Sequence, residues 1–224
     1  MNVIINMHAN TEVITVSNYH SMKGLLSNLD LIMFRGDDII SDTIAELQKC
    51  DMFTHVGLVI KSDLLPDCHL DPDRLYILES TYSYEISGMD NGPPDYLTNQ
   101  QHFGVQLRDL ELVCNSYIYN AKTKMVWFQL DRIVDTTNFS SIFQRYHMKP
   151  FIEQKMSMID FTRITPEILA MTKLFMTPSC LEAVLKDSFS CVNLVTSIYR
   201  DLNIISSDVS ITYPIELLQL FYDI

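Results

Sequence analysis

The stretch that decides the fold is FTHVGLVI, residues 53–60, in which a histidine precedes a run of apolar residues. A short run rich in valine and isoleucine and closed by a polar triplet is typical of a buried β-strand. His55 would stand at the first position of that strand, where its ring can reach a neighbouring element. His55 is therefore the best candidate for a catalytic base, although a lone histidine is more often a hydrogen-bonded structural residue.

Other apolar or alternating runs predict further strands on both sides of this one. They cover residues 31–34, 75–78, 105–113 and 125–130. Apolar residues at helical spacing predict helices over residues 40–47, 139–147 and 191–202. Helix-start signals also occur at Thr165-Pro166-Glu167 and at Ser179 with Glu182. This order of elements predicts an α+β fold in which an antiparallel sheet packs against helices.

The composition and charge of the chain argue against several classes of binding partner. The chain has 224 residues, 47% of them hydrophobic, and a formal net charge of −12. Nucleic acid and anionic lipid both attract clustered Lys and Arg, so we expect neither as a partner. No apolar run is long enough to span a bilayer, which predicts no stable membrane insertion. Five cysteines without CxxC spacing predict reduced thiols in a cytoplasmic compartment.

The most informative cysteine is Cys191, in FSCVNLVTSIYRDLNI, residues 189–204. Cys191, Val195 and Ile198 fall on one helical face, so Cys191 would begin a helix. The unpaired N–H groups of a helix start stabilise a thiolate and can hold an oxyanion. Free cysteine is also among the most buried residue types, so this stretch taken alone favours a core position over a nucleophile.

A cysteine nucleophile needs a base, and the base needs an orienting group. Glu79 directly follows the apolar run 75–78, which would bring a carboxylate to the end of a strand beside His55. Glu85 is the reserve candidate. Neither Cys68-His69 nor Cys50 with His55 has zinc-site spacing, and no phosphate-binding glycine loop occurs. We therefore expect no metal and no organic cofactor.

Six short motifs follow one another along the chain: LDLIMFRG (29–36), FTHVGLV (53–59), the run ending at Glu79, YHMKPF (146–151), FSCVNLV (189–195) and YPIELL (213–218). In this order they resemble the permuted papain-like cysteine hydrolases of the NlpC superfamily, which include bacterial YiiX-type proteins and a poxvirus virion-associated group. LDLIMFRG is similar to the family's Gly-Asp strand, and FTHVGLV to its (F/Y)-S-H-V-G strand, which carries the catalytic His. In the family a strand ending in Glu follows, and the nucleophilic Cys comes after it at the start of a helix.

This resemblance implies a circularly permuted papain-like (NlpC-type) fold over residues 1–224, with residues 1–28 as an N-terminal extension. It implies a Cys191-His55-Glu79 triad and an acyl-enzyme intermediate. The substrate would be a peptide, another amide or a lipid acyl group. The location would be the cytoplasm, or the virion if the source is viral. A non-catalytic virion or scaffold protein and a lipid-directed acyltransferase or esterase remain alternatives. The chain departs from the family pattern at Leu29 (usually Gly), Thr54 (usually Ser) and Val192-Asn193 (usually Ser-Glu).

Overall fold

The computed structural model describes residues 11–14, 18–36, 39–81, 92–100, 104–120, 124–149, 190–211 and 213–220. Within these ranges the chain forms six strands, five α-helices and short 3-10 turns. The strands are β1 (Thr11–Ile14), β2 (Leu31–Arg35), β3 (His55–Ile60), β4 (Tyr76–Thr81), β5 (Gly104–Asp109) and β6 (Lys124–Phe128). The helices are α1 (Tyr19–Met22), α2 (Ile39–Gln48), α3 (Leu110–Asn120), α4 (Phe139–Tyr146) and α5 (Cys191–Asp201).

The strands form one sheet in the order β1-β6-β2-β3-β4-β5. Every neighbouring pair in it is antiparallel. The predicted α+β architecture with an antiparallel sheet is therefore confirmed. β3, the strand of the opening motif, lies between β2 and β4, so both of its edges are covered by backbone hydrogen bonds.

Each face of the sheet is buried under a different set of helices, because successive side chains of a strand point to opposite faces. On one face, Leu58 of β3 and Leu78 of β4 share an apolar cluster with α4 and α5. On the other, Val59 and Ile77 share a cluster with α1 and α3. Burial on both faces explains why residues 56–60 of β3 and 76–78 of β4 form continuous apolar runs.

The described part of residues 1–28 contributes directly to this architecture. β1 pairs with β6 at one edge of the sheet. Tyr19, Met22 and Leu26 are buried in the cluster beneath α1 and α3. The described part of this segment is thus built into the sheet and the core, which its polar composition did not indicate.

The predicted strand over residues 105–113 is wrong in its second half. β5 ends at Asp109, and α3 begins at Leu110. The Asp109 carboxylate accepts a hydrogen bond from the Leu112 backbone N–H at 3.1 Å. A side-chain oxygen that satisfies an N–H of the first turn favours a helix start, and this outweighs the alternating pattern of the sequence.

A buried junction at the start of β2 fixes the position of α5. The Asp30 carboxylate accepts hydrogen bonds from Trp127 Nε1 (2.8 Å) and from the Leu130 backbone N–H (2.9 Å). The Tyr199 hydroxyl of α5 donates to the Leu29 carbonyl at 2.7 Å. This bond joins α5 to the β2 end of the sheet.

Several sequence predictions fall outside the described residues. They are the helix starts at 165–167 and 179–182, the reserve candidate Glu85 and the end of the YHMKPF motif. Within the ranges given above, the structure contains no helix long and apolar enough to cross a membrane.

Candidate functional site

His55 is the first residue of β3, as the sequence predicted, and its ring is largely enclosed. The side chain retains 17% of its exposed area. The Phe34 ring of β2 packs against it with 5.2 Å between centroids. The β3–β4 pairing begins at Gly57, two residues after His55. The histidine therefore stands at the end of the paired region, where groups from β4 and α5 can meet it.

Cys191 is the first residue of α5, also as predicted. Ser190 is the N-cap, and its hydroxyl accepts a hydrogen bond from the Asn193 backbone N–H at 3.2 Å. This bond satisfies one N–H of the first turn and leaves those of Cys191 and Val192 directed out of the helix end. The helix start thus presents donors beside the sulfur.

The structure brings these two residues together. The Cys191 side chain lies close enough to the His55 imidazole to interact with it and to raise its pKa. The His55 Nε2 atom contacts Glu79 Oε2 at 2.5 Å. Because Glu79 holds Nε2, Nδ1 is the ring nitrogen that can exchange a proton with the sulfur. Three residues that are far apart in the sequence thus form one continuous contact chain.

Glu79 differs from its predicted position in one respect. β4 continues to Thr81, so Glu79 lies inside the strand, and its side chain is fully buried. Glu79 pairs with Gly57 of β3. A Cβ at residue 57 would lie 2.6 Å from Ile77 Cδ1 and 3.1 Å from Glu79 Cβ. Glycine at this position therefore leaves the room that the carboxylate and its neighbour occupy.

Arg108 of β5 completes the cluster, and sequence reasoning missed it. Its Nε and Nη2 atoms donate to Glu79 Oε1 at 2.8 and 2.5 Å. Arg108 is itself 3% exposed. The sequence offered one indication of its role, namely an arginine within a predicted strand that alternates apolar and polar residues. That pattern was compatible with a solvent-exposed face, whereas both faces of β5 are covered.

Charge interactions favour the ionised forms of Glu79 and His55. Burial alone would raise the pKa of Glu79, but Arg108 and His55 outweigh it and lower this pKa to about 2. Burial opposes a charged imidazole too, yet the Cys191 sulfur and Glu79 hold the pKa of His55 well above its ordinary value. The site can therefore hold a proton on His55 beside the ionised Glu79 carboxylate.

Access to the sulfur is narrow. Cys191 is 7% exposed and belongs to the apolar cluster on the α5 face. Its contact with an imidazole distinguishes it from a cysteine enclosed only by aliphatic groups. Small reagents are therefore the appropriate probes of its reactivity.

Cys68 and Cys114 have surroundings that differ from those of Cys191. Cys68 is half-buried and Cys114 is buried, and both are free thiols. Burial raises the pKa of Cys68, with Asp67 adding to the effect, and raises that of Cys114 to about 12. Within the described ranges, no group of three or more His, Cys, Asp or Glu side chains is arranged to hold a metal ion.

Comparison with known proteins gave no match: no family model, no curated protein and no solved structure is similar to this chain. The chemistry of the site must therefore be inferred from its own geometry.

Proposed function

We propose that this protein is a cysteine hydrolase of the peptidase or amidase type, with Cys191 as nucleophile, His55 as general base and acid, and Glu79 as the group that orients His55. One observation carries the proposal. A cysteine at a helix start touches an imidazole whose other nitrogen is bound to a buried, ionised carboxylate. This is the arrangement that nucleophile activation requires: a nucleophile, a base and an orienting group in sequence.

The chemical steps follow from the contacts. His55 Nδ1 accepts the thiol proton, and the thiolate attacks the carbonyl carbon of the substrate. The tetrahedral intermediate collapses, the C–N bond breaks, and the leaving amine takes the proton from His55. Water then attacks the acyl-enzyme thioester and gives a proton to His55. The acid product leaves, and the sulfur regains its proton.

The start of α5 supplies stabilisation for the oxyanion. The backbone N–H of Cys191 lies at the helix terminus, and the Ser190 hydroxyl occupies the N–H of Asn193 rather than that of Cys191. Donors of this kind that face the developing charge contribute roughly 3–4 kcal/mol to the barrier reduction in other hydrolases.

Local geometry supports the proposed permuted papain-like fold. The family pattern has glycine before the aspartate of its first strand, and here Leu29 adopts a left-handed φ of 70°, the region that favours glycine. The following Asp30 is fully buried and hydrogen-bonded, as a fixed structural aspartate would be. Gly57, two residues after His55, is required by the packing of Ile77 and Glu79.

The small exposed fraction of Cys191 favours one of the alternatives. A cysteine that is only 7% exposed is compatible with a non-catalytic scaffold protein on the same fold. A lipid-directed acyltransferase or esterase would use the same three residues on a different acyl donor.

A panel of acyl probes tests the proposal and separates the alternatives. The purified chain is incubated with small electrophilic peptide amides, simple amides and fatty acyl esters, and acyl adducts are mapped by mass spectrometry. We expect an adduct on Cys191 that is lost in Cys191→Ala and His55→Ala but kept in Cys68→Ala. Labelling by ester probes alone would favour the lipid-directed alternative. Absence of any adduct on Cys191 across the panel would contradict the enzyme proposal and favour the scaffold.

A further inference from the structure

We propose that Arg108 is a positioning residue of this site, fixing the Glu79 carboxylate so that one oxygen remains directed at His55. The contact chain then has four members: Arg108, Glu79, His55 and Cys191. This inference rests on the proposed function for its catalytic meaning, but its physical content can be tested without a substrate.

The two carboxylate oxygens of Glu79 contact different residues. Oε1 accepts both hydrogen bonds from Arg108, whereas Oε2 faces His55 Nε2. Two charge-assisted donors from one guanidinium converge on Oε1 and anchor that oxygen, which leaves Oε2 to face His55. His55 therefore meets an acceptor that is already oriented.

The strand register explains how Arg108 reaches this position. Arg108 pairs with Ile77, and Gln106 pairs with Glu79, so Arg108 lies diagonally next to Glu79 on the same face. The other side of the guanidinium is closed by backbone: a Cβ on Gly92, whose φ is +58°, would lie 3.0 Å from Arg108 Nη1. The arginine is thus enclosed between β4 and the segment at residue 92.

A buried guanidinium is costly unless a negative charge compensates it, and the ionised Glu79 carboxylate supplies that charge. The same carboxylate faces His55, so Arg108 and His55 share one counter-charge. Among the described residues, the Phe34 ring lies beside His55, and the Cys114 thiol of α3 lies close enough to Glu79 to interact with it electrostatically.

Removal of Arg108 should therefore change the titration of His55, which Arg108 influences through Glu79. Without the guanidinium, burial dominates at Glu79 and raises its pKa toward neutrality. A neutral carboxyl no longer supports the imidazolium, so the pKa of His55 falls.

The first experiment is an NMR titration of the His55 ring nitrogens in wild type and in Arg108→Met. We expect the pKa of His55 to fall by about one unit or more, since a close opposite charge shifts a pKa by about 1–3 units. Arg108→Lys retains a charge with a single point of contact and should give an intermediate value. Should Arg108→Met not fold, Arg108→Lys against wild type carries the same comparison. An unchanged His55 titration in the folded variant would overturn the proposal.

A double-mutant cycle distinguishes positioning from general stabilisation. If Arg108 acts through Glu79, adding Arg108→Met to Glu79→Gln should cause no further fall in the pKa of His55. A further fall equal to that seen in wild type would overturn the proposal, because Arg108 would then act by another route. The titration of His55 tests only the inference about Arg108, whereas the acyl probes test the enzyme proposal. Either proposal can therefore fail without the other.

Discussion

Among the described residues, two buried carboxylates each bind a histidine, and one of the two lies at the candidate catalytic site. Glu79 contacts His55 Nε2 at 2.5 Å, and Asp95 contacts His147 Nε2 at 2.8 Å. Both carboxylates are fully buried. The two pairs are therefore alike in the feature that is most often used to recognise a catalytic histidine.

They differ in what else each pair touches. Asp95 accepts hydrogen bonds from the backbone N–H groups of Leu107, Leu97 and Thr98, and it thereby ties its own turn to β5. The His147 ring stacks on Phe143, with 4.7 Å between centroids. Glu79 is held instead by Arg108, and its histidine touches Cys191.

The comparison shows that a histidine–carboxylate contact does not by itself define a site. The Asp95 pair has the partners of a structural clamp, namely backbone donors and a stacked ring. The Glu79 pair contacts a buried arginine on one side and a cysteine on the other, which are the partners that the proposed catalysis requires. The predictions below use the Asp95 pair as the matched control.

The largest effect is expected from removing the carboxylate charges. Glu79→Gln leaves Arg108 buried without a counter-charge and should lower the free energy of unfolding by about 3–5 kcal/mol. Asp95→Asn places an amide among N–H donors and should cost about 1–3 kcal/mol. Only Glu79→Gln should slow alkylation of Cys191. Urea unfolding and iodoacetamide kinetics measure the two effects, and equal slowing in both variants would remove the distinction between the pairs.

Acid should destabilise the protein through these same groups. The pKa of Glu79 is lowered to about 2 and that of Asp95 is also lowered. A carboxylate with a lowered folded-state pKa stabilises the protein above its unfolded value and loses this contribution as pH falls. For Glu79 the loss should be on the order of a few kcal/mol between pH of about 4.5 and 2. Glu79→Gln should flatten the pH dependence of urea unfolding in this window, and an unaltered slope would be inconsistent with an ionised Glu79.

The histidines should separate the pairs in reactivity. His55→Ala removes the base beside the sulfur and should slow iodoacetamide alkylation of Cys191 on the order of 100-fold at pH 6. His147→Ala should leave that rate nearly unchanged, because its ring lies in the structural clamp. Quenched-flow alkylation with peptide mapping gives both rates, and similar rates in the two variants would contradict the assignment of roles.

A smaller effect is expected from crowding the Glu79 pair. Gly57→Ala places a methyl group 2.6 Å from Ile77 Cδ1 and should lower the free energy of unfolding by about 1–3 kcal/mol. Gly24→Ala is the control, since nothing lies within 4 Å of a Cβ there. Thermal unfolding compares the two, and a neutral Gly57→Ala would mean that β4 can shift away without cost.

Much of the fold could be predicted from local pattern. The apolar runs identified β2, β3, β4 and β6, and the helical spacing of Cys191, Val195 and Ile198 identified α5. β1 was missed because a four-residue edge strand of mixed composition has little pattern of its own. The start of α3 was missed because Asp109 as a cap competes with an alternating sequence that continues past it.

The site was predictable only in part, and the reason is physical. Cys191 and His55 could be recognised from the sequence because they stand at the start of a helix and of a strand. Arg108 could not be recognised, because its role depends on the β4–β5 register, which places it diagonally beside Glu79. The Asp95–His147 pair likewise depends on the approach of a distant turn. Whether Cys191, His55 and Glu79 act catalytically remains a prediction.

The most direct test of the central claim is native-state alkylation of all five cysteines across pH, with each rate assigned by mass spectrometry. The account predicts that Cys191 reacts with iodoacetamide fastest and already near pH 6, while Cys68 and Cys114 react only as the solution becomes alkaline. It also predicts that His55→Ala removes this advantage. A Cys191 that reacts no faster than Cys68, or whose rate is indifferent to His55, would contradict the claim that the two form a reactive pair.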